Sequence, residues 1–335
     1  GVNIFGHEVP QSSGKDLNFN PGPDVHYNQE TGEVFAAVSG VISSVSNGVV
    51  KITDKLSVPG DVNYETGNLN CRGALEVGGS VMPDFKVKAG GDLMIGGNVE
   101  SAAIDGKTNV IVRGGLIGKK SSITAAGDVD IFYTESGTIK CGGKVMIRKE
   151  AYLCTICSGG DIETEGESVV LGSSLISGGS IHVSTVDTDT SPLSVIAAAV
   201  DFNRYEKYRE IRNEMEEIEK KVKLRRHRLG PGVSDETLEE LEEELEEAQD
   251  ELESFNLVPV SPENDRAGGL RYACKQKIVV RGVVRSGAVI RIGNFKKRLE
   301  KNLLNGYFKL IGDTEEIIFC GESSQKKPSV LSSVE

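Results

Sequence analysis

This chain of 335 residues contains no tryptophan, and aromatic residues make up only 5% of it. A globular core built around large rings is therefore a poor fit to the composition. No run of about 18 apolar residues occurs, so no segment of the sequence has the length and character of a transmembrane helix. We expect no insertion into a membrane.

Cysteine is scarce and scattered, which argues against a disulfide framework and favours the reducing cytoplasm. Cys154 and Cys157 have the spacing of a CxxC motif. A zinc site would need a second pair of ligands, and thioredoxin-type redox chemistry would need a helix that begins at the motif. This motif lies in a strand pattern with Ile156 inward, so we interpret both cysteines as ordinary thiols, with a redox or metal role as the alternative.

Motifs of catalysis are missing as well. None of the four histidines shares a motif with a nucleophile or a carboxylate, and no P-loop lysine or Gly-x-Ser-x-Gly elbow occurs. The formal net charge of −12 disfavours nucleic-acid partners, because phosphates would be repelled. We expect no catalytic residue, no metal, no cofactor and no nucleic-acid partner. The basic cluster of Lys296, Lys297 and Arg298 is interpreted as solvated surface.

Glycine is abundant, at 40 residues, and recurs in one short motif. Each copy consists of an apolar or small residue, any residue, glycine, a small polar residue and then Val, Leu or Ile; Ala89 to Leu93 is one example. The copies fall into two columns, with intervals of 16 to 19 residues within each column. One column contains Gly73, Gly91, Thr108, Gly127, Gly143, Gly160 and Gly179, and the other contains Gly60, Gly79, Gly97 and Gly114.

A repeat of about 18 residues, with alternating apolar positions between glycine corners, is typical of short strands that face a core on one side. One such unit cannot bury its apolar face alone, but stacked coils bury a continuous column. We therefore predict a mainly β fold, a right-handed parallel β-helix. The variable coil length favours the right-handed form, because left-handed hexapeptide helices keep a fixed step. Polar residues that follow the glycines, such as Asp61 and Asp128, are interpreted as side-chain caps of turn N–H groups, not as metal ligands.

A helical period replaces the strand pattern after about residue 200. Its apolar residues recur in steps of three, four or seven, which predicts an antiparallel coiled-coil hairpin inserted between coils. Ser234 is the expected N-cap of the second helix, which carries twelve acidic residues between Asp235 and Glu253. The candidate partner or self-association surface consists of nine residues of the apolar seam: Tyr208, Ile211, Met215, Ile218, Val222, Leu238, Leu241, Leu245 and Leu252.

The predicted organisation has five parts. They are an entry segment and cap at 1–40, the β-helix at 41–197, the hairpin at 198–257, returning coils with an end cap at 258–321, and a flexible tail at 322–335. The last strands are predicted near Tyr307 to Ile311 and Ile317 to Cys320. Because residue 1 is Gly and no leader follows, we expect the chain to begin inside a longer protein.

The order of the motifs resembles the flagellar assembly protein A (FapA) family over about residues 20 to 320. The motifs that carry this resemblance are Gly60-Asp61-Val62, Thr66-Gly67-Asn68-Leu69, Gly79-Ser80-Val81, Ala89-Gly90-Gly91-Asp92-Leu93 and the Gly-Gly-Asp-Ile run that ends at Ile162. The resemblance implies a bacterial cytoplasmic protein, a β-helix similar in style to the bactofilin scaffolds, and a role in positioning or assembly. It supplies no catalytic residues, and it implies a further domain upstream.

The hypothesis from the sequence is a non-catalytic scaffold for assembly or localisation, of the flagellar or polar type. It would act through its β-helix faces, its ends and the helical hairpin, with protein partners and with copies of itself, and it could reach the cell pole or membrane periphery through those partners. The alternatives are a carbohydrate-active or acyl-transfer β-helix enzyme and a polymer-binding module.

Overall fold

The apolar segments between the glycine corners form short strands, and these stack into a β-solenoid of about eight turns with coils of about 18 residues. The computed structural model describes residues 1–8, 20–22, 25–37, 40–46, 49–53, 55–188, 191–230, 234–260, 262 and 265–321. The predicted mainly β fold, its coil length and the inserted hairpin are confirmed. The right-handed winding and the domain boundaries stay predictions, and the predicted tail at 322–335 lies outside the described residues.

Successive coils pair in parallel and form two large sheets. In the described part of the chain, the first sheet contains Lys55–Val58, Ala74–Val77, Leu93–Ile95, Val99–Glu100, Val110–Ile117, Val129–Glu135, Val145–Tyr152, Ile162–Thr164, Val169–Leu171, Ile181–Val183, Thr185–Val186, Lys277–Val284, Leu303–Ile311 and Glu316–Gly321. The second sheet contains Leu69–Cys71, Lys86–Ala89, Ala103–Gly106, Ser122–Ala125, Thr138–Cys141, Thr155–Ser158, Ser174–Ser177, Val195–Ala198, Val289–Ile292 and Phe295–Arg298.

The core is a set of apolar ladders that run along the solenoid. In the second sheet, one inward position is apolar and almost fully buried in eight successive coils: Val87, Ile104, Ile123, Ile139, Ile156, Leu175, Ile196 and Ile290. Each such side chain contributes roughly 1.5–3 kcal/mol by leaving water. A single coil has no second layer of its own, so this stabilisation exists only when coils are stacked.

In both glycine columns predicted from the sequence, the members lie at corners of successive coils and stack on one another. In one column, the backbone N–H of Gly79 donates to the carbonyl of Gly60 at 3.1 Å, and Gly97 donates to Gly79 at 2.8 Å. In the other, Gly143 donates to Gly127 at 3.0 Å and Gly160 donates to Gly143 at 2.9 Å. The corners therefore keep one register from coil to coil.

A polar residue with an acceptor oxygen follows most of the corner glycines, and its side chain caps the next coil. The carboxylate of Asp128 accepts a hydrogen bond from the backbone N–H of Lys144 at 2.7 Å, and Asp61 does the same for Ser80 at 2.7 Å. Ser80 in turn accepts from the N–H of Asn98 at 3.0 Å. Asp, Ser and Asn are interchangeable here because each supplies an acceptor oxygen. The turn-cap interpretation is confirmed.

The inserted segment consists of two packed helices, α1 at Phe202–Leu229 and α2 at Glu236–Ser254. A short third helix, α3 at Arg266–Ala273, was not predicted. The predicted N-cap Ser234 is wrong: the carboxylate of Asp235 accepts the Leu238 N–H at 3.0 Å, and α2 begins at Glu236. Asp235 takes this position because its carboxylate also binds the Arg225 side chain of α1.

Antiparallel strands finish the C-terminal end of the solenoid, as the two predicted last strands suggested. Leu303–Ile311 folds back on Lys277–Val284, Glu316–Gly321 folds back on Leu303–Ile311, and Phe295–Arg298 folds back on Val289–Ile292. Near the other end, the described strands are Asn20–Pro21, Val25–Tyr27, Val34–Ala36, Val41–Ser46 and Val49–Thr53. Val25–Tyr27 and Val34–Ala36, each three residues long, pair in antiparallel.

Candidate functional site at the base of the helical hairpin

One outward column of the second sheet changes character where the hairpin meets the solenoid. In the lower coils its members are polar, and in register they are Asn70, Lys88, Asp105, Thr124 and Lys140. The next members are Cys157, Ile176, Ala197 and Arg291, and we call these four residues the docking column. All four are buried, with at most 4% of each exposed.

The first turns of α1 cover the docking column. Ile211 of α1 forms one apolar cluster with Cys157, Ile176 and Ala197, and the aromatic rings of Phe202, Tyr205 and Tyr208 pack against this cluster. Leu252, Phe255 and Leu257, from the end of α2 and just beyond it, join the cluster. Both ends of the hairpin therefore rest on the same face of the solenoid.

Arg291 is the charged member of the docking column. Its guanidinium lies 5.2 Å from the ring centroid of Tyr208 and 5.9 Å from that of Tyr205, and it donates a hydrogen bond to the Asn294 carbonyl at 3.2 Å. A desolvated guanidinium over aromatic faces contributes up to about 2 kcal/mol. This contact joins the last coil of the solenoid to the hairpin.

Polar contacts fix how the chain enters and leaves the hairpin. The N–H of Asp201 donates to the carbonyl of Leu257 at 2.8 Å, so the two ends of the insertion lie side by side. Asp201 also caps α1 by accepting the N–H groups of Asn203 and Arg204. The Arg204 guanidinium donates to the Val258 carbonyl at 2.7 Å.

A buried amide holds the segment that follows α2. Asn256 is fully buried, and its side-chain NH₂ donates to the carbonyls of Pro262 and Asp265, each at 2.9 Å. Its side-chain oxygen accepts the N–H of Val258 at 3.1 Å. A fully satisfied amide network of this kind specifies one backbone path.

The far end of the hairpin is joined by ion pairs between its helices. Arg225 binds Asp235, and Arg226 lies 2.8 Å from Glu242. The hydrogen bond from Arg225 lowers the pKa of the Asp235 carboxyl. The predicted complementarity between the basic end of α1 and the first acidic turns of α2 is thus present, and it sets register more than stability because the pairs are exposed.

The predicted candidate surface lies mainly inside the hairpin. Ile211, Val222 and Leu238 are buried, and the remaining members are half-buried: Tyr208, Met215, Ile218, Leu241, Leu245 and Leu252. Their role in binding a partner stays a prediction. Sequence reasoning missed the docking column and its aromatic cover. The signal was present, because the outward positions change from polar residues to Cys157, Ile176 and Ala197 before Arg291.

The side chains of the two cysteines of the CxxC motif lie in different parts of the protein. Cys157 faces α1 within the docking column, whereas Cys154 belongs to the solenoid core, 3.3 Å from the Ser173 hydroxyl. Burial raises the pKa of Cys154 to about 11 and that of Cys157 to about 12. Both thiols are protonated at neutral pH and are therefore poor nucleophiles. All six cysteines of the chain are free.

The residues described here include no group of three or more His, Cys, Asp or Glu side chains placed to hold a metal ion. None of the helices in the described ranges is long and apolar enough to cross a membrane.

The fold and the seated hairpin define a class of protein, a β-solenoid with a helical arm inserted between its coils. The family model of the Flagellar Assembly Protein A (FapA) beta solenoid domain matches residues 54–317, most of the chain. The chain belongs to this family. No curated protein and no solved structure matches it.

Proposed function

We propose that this protein is a non-catalytic scaffold that acts in flagellar assembly in the bacterial cytoplasm. The observation that carries the proposal is the docking column, which seats an exposed helical arm on a rigid solenoid. Family membership supports the flagellar role, and six free thiols are in keeping with a reducing compartment.

The mechanism is geometric. The solenoid is a continuous hydrogen-bonded column, so it holds surfaces at fixed separations. With 28 residues, α1 is about 42 Å long, and the contacts of its first ten residues with the solenoid leave its remainder to project as an arm. A partner bound to the arm is thereby held at a defined place relative to partners on the solenoid faces.

The test is the number of flagella per cell in a strain of the source bacterium that lacks this protein. Re-expression of the full chain is expected to restore flagella. A hairpin-less variant, with residues 203–254 replaced by a short Gly-Ser linker, is expected to fail. The linker can be short because Asp201 and Leu257 are hydrogen-bonded neighbours. Normal flagellation without the protein would contradict the flagellar role.

Removal of the hairpin uncovers the docking column, so the variant needs a matched surface. Cys157→Thr and Ile176→Lys introduce the residue types that Thr124 and Lys140 supply in the lower coils of the same column. Far-ultraviolet circular dichroism and urea unfolding then check that the solenoid remains folded. A folded hairpin-less variant that restores flagella would contradict the proposed role of the arm.

A further inference from the structure

Charge is distributed very unevenly between α2 and the C-terminal end of the chain. The segment from Asp235 to Glu253 has twelve acidic residues and no basic one. Its net charge is therefore as large as that of the whole protein, −12. The segment 266–321 has twelve basic and four acidic residues. Segment 235–253 is therefore strongly negative and segment 266–321 is positive, while the basic end of α1 lies against the first acidic turns of α2.

The negative surface is exposed and mostly unpaired. Of the α2 carboxylates, Glu242 pairs with Arg226, and the N-cap Asp235 pairs with Arg225. Eight further carboxylates are exposed and have no ion pair within the described ranges of the chain: Glu236, Glu240, Glu243, Glu244, Glu246, Glu247, Asp250 and Glu251.

The positive surface surrounds a cavity at the C-terminal end, which we call the basic cap. The cavity has a volume of about 550 Å³, and its floor is the apolar end of the core, formed by Leu299, Leu303, Phe308, Ile317 and Phe319. Its rim includes Lys297, Arg298 and Lys301, with one carboxylate, Glu300. We count Lys296 with the basic cap as well, because it is an exposed neighbour on the strand Phe295–Arg298.

Most of the cations of the cap are unpaired. Lys297 donates to the carbonyl of Ile317 at 3.0 Å. Lys296, Arg298 and Lys301 are exposed and form no ion pair with any described residue. Edge strands of natural sheets often carry such charges, which discourage pairing with another strand. These cations can still bind an acidic surface through their side chains.

We propose that the acidic face of α2 in one copy docks on the basic cap of a second copy. This inference rests on the proposed scaffold role and names one of its partners, the protein itself. Because the two surfaces differ, the contact is heterologous, and repetition gives a closed ring or an open chain of copies. The net negative charge repels copies in other orientations, so the opposite charges also select this one.

The experiment is sedimentation velocity of the full chain at about 50 mM and about 500 mM salt, where screening of exposed charges differs strongly. The proposal predicts association that grows with protein concentration at low salt and reverts to monomer at high salt. A monomer at low salt over the whole accessible concentration range would overturn it, and so would association that salt does not affect.

Charge reversal tests the two surfaces separately. The cap variant carries Lys296→Glu, Arg298→Glu and Lys301→Glu, and the helix variant carries Glu243→Lys, Glu247→Lys and Glu251→Lys. Each is expected to be monomeric alone, because the cap variant presents two acidic surfaces to each other and the helix variant halves the net negative charge of segment 235–253. An equimolar mixture is expected to associate again, because opposite charges meet across copies.

The matched control reverses three exposed cations elsewhere on the solenoid, Lys86→Glu, Arg113→Glu and Lys119→Glu, and is expected to associate as the unmodified chain does. If the mixture stays monomeric, or if each variant still associates alone, the proposed contact is wrong. Either result leaves the scaffold proposal intact provided that the hairpin-less variant still fails to restore flagella, so the two failures are distinguishable.

Discussion

The guanidinium of Arg291 lies over the ring of Tyr208, 5.2 Å from its centroid, although these residues are separated by most of the hairpin and the coil that follows it. The contact joins the last coil of the solenoid to the first turns of α1. It therefore couples the completion of the solenoid to the seating of the arm.

Replacing Arg291 by alanine is expected to loosen the hairpin. Loss of the cation–π contact costs about 2 kcal/mol, which corresponds to roughly 30-fold in the equilibrium for undocking. The measurement is the alkylation rate of Cys157, followed by peptide mapping, because α1 covers this thiol. The matched control is Arg281→Ala, at an exposed position of Lys277–Val284. An unchanged Cys157 rate in Arg291→Ala would contradict the role of this contact.

Cys157 is expected to react slowly in the intact protein at neutral pH. Burial under α1 raises its pKa to about 12 and also limits access of the reagent. Cys274 and Cys320 are only half-buried and are expected to be alkylated first. Alkylation of Cys157 at the same rate as these two would show that α1 does not cover the docking column.

The raised pKa of the Cys157 thiol is expected to make the stability of the protein depend on pH. The pKa of Cys157 in the folded chain, about 12, lies above the ordinary value of 9.0. The folded chain therefore holds the proton where the unfolded chain releases it. The resulting contribution to the free energy of unfolding is complete below the ordinary pKa and is lost as the pH rises toward the pKa of the folded chain. The urea midpoint is expected to fall between about pH 8 and about pH 10.5, and to fall less in Cys157→Ala.

An alanine at Gly143 is expected to destabilise the solenoid by about 1–3 kcal/mol, as overpacking in a tight site does. Its Cβ would lie 2.1 Å from the capping carboxylate oxygen of Asp128 and 2.9 Å from the backbone of Gly127. Gly60→Ala is the matched control, because no atom lies within 4 Å of the Cβ that it would add. Urea unfolding measures both variants, and equal midpoints would contradict the close approach of stacked corners.

Local repetition explains why so much of the fold could be predicted from the sequence. The stacking of Gly79 on Gly60 and the cap from Asp128 to Lys144 recur along the solenoid from the same few residue types, so the period predicts them. The apolar period of the hairpin is equally local.

The seating of the hairpin could not be predicted in the same way. Cys157, Ile176 and Arg291 come from three coils, and the insertion separates Arg291 from the others, so their alignment depends on strand register. Helix α3 was missed because Gly268 and Gly269 break its helical pattern, although the Asp265 side chain caps it.

The central claim is that a hairpin seated on the solenoid is the working arm of this protein, and Ile211→Asp tests it most directly. Ile211 is 7% exposed between α1 and the docking column, so a carboxylate there is expected to unseat the arm without shortening it. In the strain that lacks the protein, flagella per cell are the measurement, with Asn213→Asp at an exposed position as the control. We predict that Ile211→Asp restores no more flagella than the hairpin-less variant, whereas Asn213→Asp restores the full number. Full restoration by Ile211→Asp, with Cys157 shown to be uncovered, would contradict the account.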